Sequence, residues 1–355
     1  MTISLYGTTE LILVQQMLPD LPDGFWRNLY DRTVTSDREE IMFERADIDN
    51  RKLAPFVAPN VQGRVMVKQG FDARSFRPAY VKPKHIVDPS KAIPRIKGEA
   101  LLGGQSLQQR FDAHVVDNMR LERESIERRW DWMAARATID GMVTVAGDDY
   151  PTQTIDFKRD TSLTITLVGT ARWDQGITTP APLDDLGAAA DAAFNLGYAP
   201  ITDLVFGLSA WKYFIKSPAV QELLSTLRRG NLSEFSVLPL TRQSNLQSMG
   251  FIDGPGGRFA LWRYRNWYSS YDSNGNLTVV EYLDPRDVVG YGQSIIGFQM
   301  FGAIMDVDAG FVAEATIFPK MWKEDDPSVV YTMSQSAPLM VPTNPNNTFK
   351  IRVMS

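Results

Sequence analysis

Cysteine is absent from the 355 residues, and histidine occurs only twice. Without a thiol, disulfide frameworks, zinc–thiolate sites and cysteine nucleophiles are excluded. His85 and His114 leave room only for a mixed histidine–carboxylate metal site, and no H-E-x-x-H spacing supports one. Also missing are a phosphate-cradling G-x-x-x-x-G-K-[ST], a strand-borne G-x-G-x-x-G and a G-x-S-x-G elbow. The glycine-rich "GPGGR" at 254–258 precedes no helical pattern and reads as a loop. "DSNGN" at 272–276 has its glycine fourth rather than sixth, so it reads as a hairpin turn and not as a calcium loop. No catalytic, cofactor-binding or metal-binding residue is therefore assigned, and no enzymatic activity is expected.

Positive charge is not in excess. Lys plus Arg is 37 against 42 for Asp plus Glu, a net charge of −5. General nucleic-acid binding, which is driven by neutralising phosphates, is a poor fit to that balance. No apolar run reaches about 18 residues, so no membrane span is expected. The N-terminus has no basic segment ahead of its short apolar run, which argues against a secretory signal.

What is there is an ordinary globular composition, 44% hydrophobic and 22% charged, able to bury a sizeable core. Residues 1 to about 50 read as an arm of short helical pieces, "TTELILVQQM" and "GFWRNLYD", broken by Pro and Asp. "VQGRVMVK" at 61–68 alternates strictly, and 76–87 is expected to run back beside it as one long hairpin. A long helix is predicted over 107–139, with Leu107, Phe111, Val115, Met119, Ile126, Trp130, Met133 and Ala137 on its apolar stripe. Two strands follow, "MVTVAG" and "TQTIDFKR", then a helix stopping at Gly197. "ITDLVFG" reads as a buried strand, Ser209 as the cap of "AWKYFIK", and Ser217-Pro218 as the start of a further helix. A hairpin is predicted to turn at Asn274-Gly275, and the tail adds "GFVAEATIFPKMW" and "VVYTMSQSAPLMVP" as strands. The class is α+β. Trp262, Tyr264 and Tyr268 share one face of their strand, either as core or as an aromatic sugar-binding platform.

The stretch "RPAYVKPKHIVDP" at 77–89 alternates like a strand yet carries Pro78, Pro83 and Pro89. A two-stranded ribbon is marginal alone, so the arm must lie on its own chain or on a neighbour. Charge favours a neighbour. Residues 61–87 hold Arg64, Lys68, Arg74, Arg77, Lys82 and Lys84 against the single acid Asp72, which leaves the remainder of the chain at net −10. A basic arm on an acidic body suits head-to-tail docking of identical copies. The prolines deny a free edge to stray strands, which implies docking by side chains.

"PAYVKPKH" at 78–85, "FPKMW" at 318–322 and "QSAPLM" at 335–340 resemble motifs of lambda-type phage major capsid proteins, the phage major capsid protein E family. The order of elements is similar over essentially the whole chain. The resemblance implies the Hong Kong 97-type capsid fold. Residues 1–51 would be an N-terminal arm, 52–90 the extended E-loop, and 91–180 the P-domain with its spine helix at 106–139. Residues 181–310 would form an axial A-domain, and 311–355 would return as strands to the P-domain. It further implies copies of the chain joined as hexamers and pentamers in an icosahedral shell around double-stranded DNA held without specific contacts. A separate scaffolding protein and a portal would act during assembly in the host cytoplasm, with no cofactor and no membrane; relatives often accept a decoration protein. Arg64, Lys68, Arg74, Arg77, Tyr80, Lys82, Lys84 and His85 are the expected intersubunit contacts. Phe111, Met119, Trp130 and Met133 are the expected P-domain packing residues. Two rival readings stand beside this one: an encapsulin-like nanocompartment shell, and a carbohydrate-binding or hydrolytic α+β protein.

Overall fold

The computed structural model describes residues 5–21, 24–45, 53–54, 56–57, 59, 62–63, 72–87, 106–147, 150–175, 181–229, 245–271, 275–292, 297–326 and 328–355. The first elements are helix α1 (Thr8–Met17) and strands β1 (Arg32–Thr35), β2 (Ile41–Arg45), β3 (Asp72–Phe76) and β4 (Lys84–Val87). Helix α2 (Leu107–Asp140) is followed by β5 (Met142–Gly147), β6 (Tyr150–Asp156) and β7 (Thr164–Thr166). Next come α3 (Pro182–Gly197), β8 (Asp203–Phe206), α4 (Leu208–Phe214) and α5 (Pro218–Arg229). The strands β9 (Leu246–Gly254), β10 (Gly257–Tyr264), β11 (Trp267–Tyr271), β12 (Leu277–Glu281), β13 (Asp287–Tyr291) and β14 (Gly297–Phe301) follow. The chain ends with β15 (Phe318–Asp325), β16 (Ser328–Gln335), β17 (Pro338–Pro342) and β18 (Thr348–Arg352).

Helix α2 begins and ends where its sequence directs. The Ser106 hydroxyl accepts from the Gln109 amide at 3.2 Å while the Gln109 side chain accepts from the Ser106 amide at 2.9 Å, a reciprocal cap. Gly141 closes it at φ +69, and a Cβ there would fall 2.7 Å from Arg159. Three clusters share the burial. One gathers Ile126, Trp130, Met133, Ala134 and Ile139 of α2 with Trp26, Tyr30, Val143, Phe301 and Leu339. A second joins Leu186, Ala189 and Ala193 of α3 to Phe206, Phe214, Phe349 and Ile351. The third joins Phe111, Val115 and Met119 of α2 to Leu11 and Val87. Each such side chain contributes roughly 1.5–3 kcal/mol by leaving water.

The second cluster belongs to a mixed six-stranded sheet in the order β7-β18-β13-β8-β10-β9. A three-stranded sheet, β1-β14-β17, carries part of the first cluster, and a second, β15-β16-β4, lies over the N-terminal half of α2. Three hairpin-like pairs, β2-β3, β5-β6 and β11-β12, complete the set.

The structure refines the expected elements at several places. The outgoing strand predicted at 61–68 lies, apart from Gln62 and Gly63, outside the described residues; of the returning strand, Phe76 belongs to β3, which pairs with β2, and Lys84–Val87 form β4, which pairs with β16. Between Phe76 and Lys84 the pairing is reduced to a bridge at Val81 and a bond to the Pro83 carbonyl, since Pro78 and Pro83 lack the N–H that a ladder needs. β18 lies inside the six-stranded sheet, between β7 and β13, because Phe349 and Ile351 complete the core beneath α3. "GFWRNLYD" yields only a single 3₁₀ turn at Arg27–Leu29, and "GFVAEATIFPKMW" makes an isolated bridge from Ala313 to Ile304 before its continuous strand starts at Phe318. Ser209 sits within α4, whose cap is Gly207, rather than at its start.

Candidate intersubunit surface

The stretch 77–87 is fastened to its own chain residue by residue. Arg77 pairs with Glu39 at 2.9 Å. The Tyr80 hydroxyl donates to the Ala303 carbonyl at 3.0 Å and accepts from the Met305 amide at 3.1 Å. Val81 and Ser336 exchange both backbone bonds, at 2.8 and 3.0 Å, and the Pro83 carbonyl accepts from the Ser334 amide at 3.2 Å. Lys82 lies 4.6 Å above the Tyr80 ring. Lys84 lies 4.4 Å above Tyr331, which stacks on Trp322. This main-chain pairing within the subunit makes 84–87 the edge strand of its sheet among the described strands, and the preceding Pro83, with no N–H to donate, is tolerated at that edge.

Strand alternation then sorts the stretch into two faces. Lys82, Lys84 and Ile86 point outward and are exposed. His85 and Val87 point toward α2. The His85 Nδ1 lies 3.3 Å from a carboxylate oxygen of Glu122, a side chain with no exposure to solvent. Thr332 donates to the same oxygen at 2.8 Å, and Ser334 donates to the other at 2.7 Å. Burial pushes the Glu122 carboxyl above its ordinary value, against the opposing bonds from Ser334, Thr332 and His85.

Further along α2, acidic residues grip the N-terminal segment. Glu127 accepts from the Leu21 amide at 2.5 Å and from Arg123 at 2.9 Å, and lies 3.4 Å from Arg27. Asp131 accepts from the Arg27 amide at 2.8 Å. Arg123 also donates to the carbonyls of Gln15 and Leu18 and pairs with Asp20.

The expected packing residues are all buried but fall in two groups. Phe111 and Met119 meet Leu11 and Val87, whereas Trp130 and Met133 join the central cluster, with the Trp130 ring 4.8 Å from that of Phe301. Of the expected contact residues, Arg77, Tyr80 and Lys82 lie on the segment leading into β4, and Lys84 and His85 on β4 itself. Arg74 is placed in β3 by its backbone, and Arg64 and Lys68 lie outside the described residues. Sequence reasoning passed over Glu122, Glu127 and Asp131. The signal was present, since Glu122 lies three residues after Met119 and four before Ile126, on the apolar face.

The aromatic platform is not assembled. Tyr264 is buried against Phe25 and Trp26, Trp262 donates its ring N–H to Asp203 at 2.8 Å, and Tyr268 accepts from Trp132 at 3.1 Å. Large apolar side chains do stand in solvent elsewhere. Leu53 and Phe56, within 52–90, are fully exposed, as are most of Val307 and Phe311 in the turn ahead of β15. Phe311 adopts φ +84, a strained conformation for a bulky residue. Among the described residues, no three His, Asp or Glu converge in a way that could hold a metal ion. Among the described residues, no helix is long and apolar enough to cross a membrane.

A family model described as phage major capsid protein E matches residues 7–353. The major capsid protein of Escherichia phage N15 is 28% identical over 355 residues, covering 99% of this chain and all of that one. The major capsid protein of Escherichia phage lambda is 28% identical over 356 residues, with the same coverage. A crystal structure of a prophage capsid protein from E. coli CFT073 superimposes with a TM-score of 0.72 at 25% identity, covering 98% of this chain and 99% of that one.

Proposed function

The chain belongs to the phage major capsid protein E family and has the Hong Kong 97-type capsid fold, and from that premise we propose how it builds a shell. Copies join as hexamers and pentamers into the icosahedral head of a tailed bacteriophage, assembled in the host cytoplasm around a separate scaffolding protein and a portal. The packaged double-stranded DNA is enclosed without specific contacts, which the net charge of −5 favours. Residues 52–90 act as the E-loop that reaches a neighbouring copy, 91–180 with α2 as the P-domain, and 181–310 as the axial A-domain. A decoration protein is a further partner in this reading.

The match over residues 7–353 carries the reading, because it spans the arm, the long helix and the tail together. Full-length similarity to phage capsid proteins also favours a phage head over a cellular nanocompartment. Two details support the role given to 52–90. Its base, 77–87, is tied to β16 and Ser336 by backbone bonds and to Ala303 and Met305 through the Tyr80 hydroxyl, so the loop has a fixed root. Its apolar side chains Leu53 and Phe56 stand exposed to solvent. A rooted arm with uncovered apolar groups is what contact with a second copy requires. Sedimentation and electron microscopy of the protein produced with a scaffold test this: closed particles are expected, and discrete small oligomers under every condition would overturn it.

A further inference from the structure

The buried carboxylate beneath the loop root has a chemistry that packing alone does not need. Glu122 sits on α2 with no exposure, and the root strand β4 covers it. Two hydroxyls, Thr332 and Ser334 of β16, donate to its two oxygens. Both are neutral. From β4 the one titratable side chain within reach is His85, at 3.3 Å. Lys84, the adjacent cation, points to the opposite face, over Tyr331 and Trp322. On α2, Arg123 is taken by Glu127 and Asp20. From α1 the neighbouring contribution is apolar, through Leu11. A carboxylate charge so enclosed is costly unless a cation or a proton compensates it.

We propose that Glu122 and His85 form a proton-held latch, which fastens the root of the 52–90 loop to α2 while the pair keeps one proton and loosens it when that proton leaves. The proton can sit on either partner. As imidazolium with carboxylate the pair is an ion pair; as imidazole with carboxylic acid it is a neutral hydrogen bond. Removal of the proton leaves a buried anion facing a neutral ring. Thr332 and Ser334 still donate to it, but neither supplies a positive charge. The imidazole–carboxylate combination places this change where a histidine can act as a switch. The direction follows from linkage. A state that binds a proton more tightly is favoured at low pH, so the latch is closed on the acid side and opens as pH rises, by up to tenfold per pH unit for one proton.

The consequence for aiming the loop at a neighbour rests on the shell reading, whereas the latch itself is testable on free subunits whether or not they assemble. Hydrogen–deuterium exchange between pH 5.5 and 8.5, corrected for intrinsic rates, reads the opening of peptides holding Val81, Ser334 and Ser336, whose amides bridge the root and β16. Ala260, in the six-stranded sheet, is the reference. Protection at the root is expected to fall several-fold or more across this range while the reference stays flat. Glu122→Gln, neutral at every pH and able to bond both hydroxyls, should give a flat, protected root. His85→Gln should move the opening to lower pH, since the carboxyl then keeps the proton alone. Root protection that is equally flat in wild type and in both variants would overturn the proposal. If Glu122→Gln does not fold, an opening midpoint left unmoved by His85→Gln would overturn it by itself.

Discussion

Replacing Trp130 with alanine removes the largest side chain that α2 places in the central cluster. Trp130 is 6% exposed, its ring meets Phe301 of β14 edge-on at 4.8 Å, and the Arg27 guanidinium lies 5.8 Å from its centroid. An indole of this kind buries roughly 150–250 Å², which at about 25 cal/mol per Å² corresponds to around 4–6 kcal/mol as an upper bound. Its neighbours are held from several directions. Phe301 is in a paired strand, and the turn ahead of β1 is fixed by the Arg27 amide bond to Asp131. Neither can move far to fill the space, so a cavity persists. The expected loss is therefore about 3–5 kcal/mol. Urea unfolding of unassembled subunits followed by circular dichroism measures it as a lower midpoint with little change in slope. A loss below about 1 kcal/mol would refute the burial of this face and the helix register on which the fold description rests.

Arg77→Glu with Lys82→Glu should weaken shell formation while leaving subunits folded, because exposed charges contribute only about 0–1 kcal/mol each within a subunit; sedimentation beside circular dichroism checks both halves, and normal assembly would count against electrostatic guidance by the arm. Asp284 is held down at about 2, chiefly by the Arg286 side chain, so its contribution to stability is complete above the ordinary carboxylate value near about 3.9 and is lost as pH falls toward about 2. Asp284→Asn should accordingly flatten acid unfolding between about pH 4 and 2, and an unchanged acid limb would speak against the pairing. Gly207→Ala should cost roughly 1–3 kcal/mol in thermal or chemical unfolding, since its Cβ would fall 2.5 Å from the Asp284 carbonyl oxygen and 2.7 Å from Pro285, both backbone.

Local signals were legible where local physics decides. The stripe from Phe111 to Ala137 and the glycine after Asp140 fix α2 to within a residue of Leu107–Asp140, and Pro218 marks the first turn of α5. Pairing partners were not legible, because alternation tells which face of a strand is apolar and not what lies beside it. β4 finds β16 more than two hundred residues away, and β3 finds β2 in what reads as an irregular arm. β18 reads as a tail strand, yet Phe349 and Ile351 are needed in the core under α3. The capsid motif at 78–85 falls on the stretch that pairs with Ser334, Ser336 and β16, while Glu122 stayed hidden because a glutamate inside an apolar stripe resembles an interruption. Only its partners on β4 and β16 make it a site.

The most direct measurement is a cryo-electron microscopy map of assembled particles at a resolution that traces side chains. The account predicts a closed shell of hexamers and pentamers, with residues 52–90 of each subunit lying on a neighbouring copy and Leu53 and Phe56 covered by it. Closed particles in which 52–90 folds back over its own subunit, with no neighbour covering Leu53 and Phe56, would contradict the account.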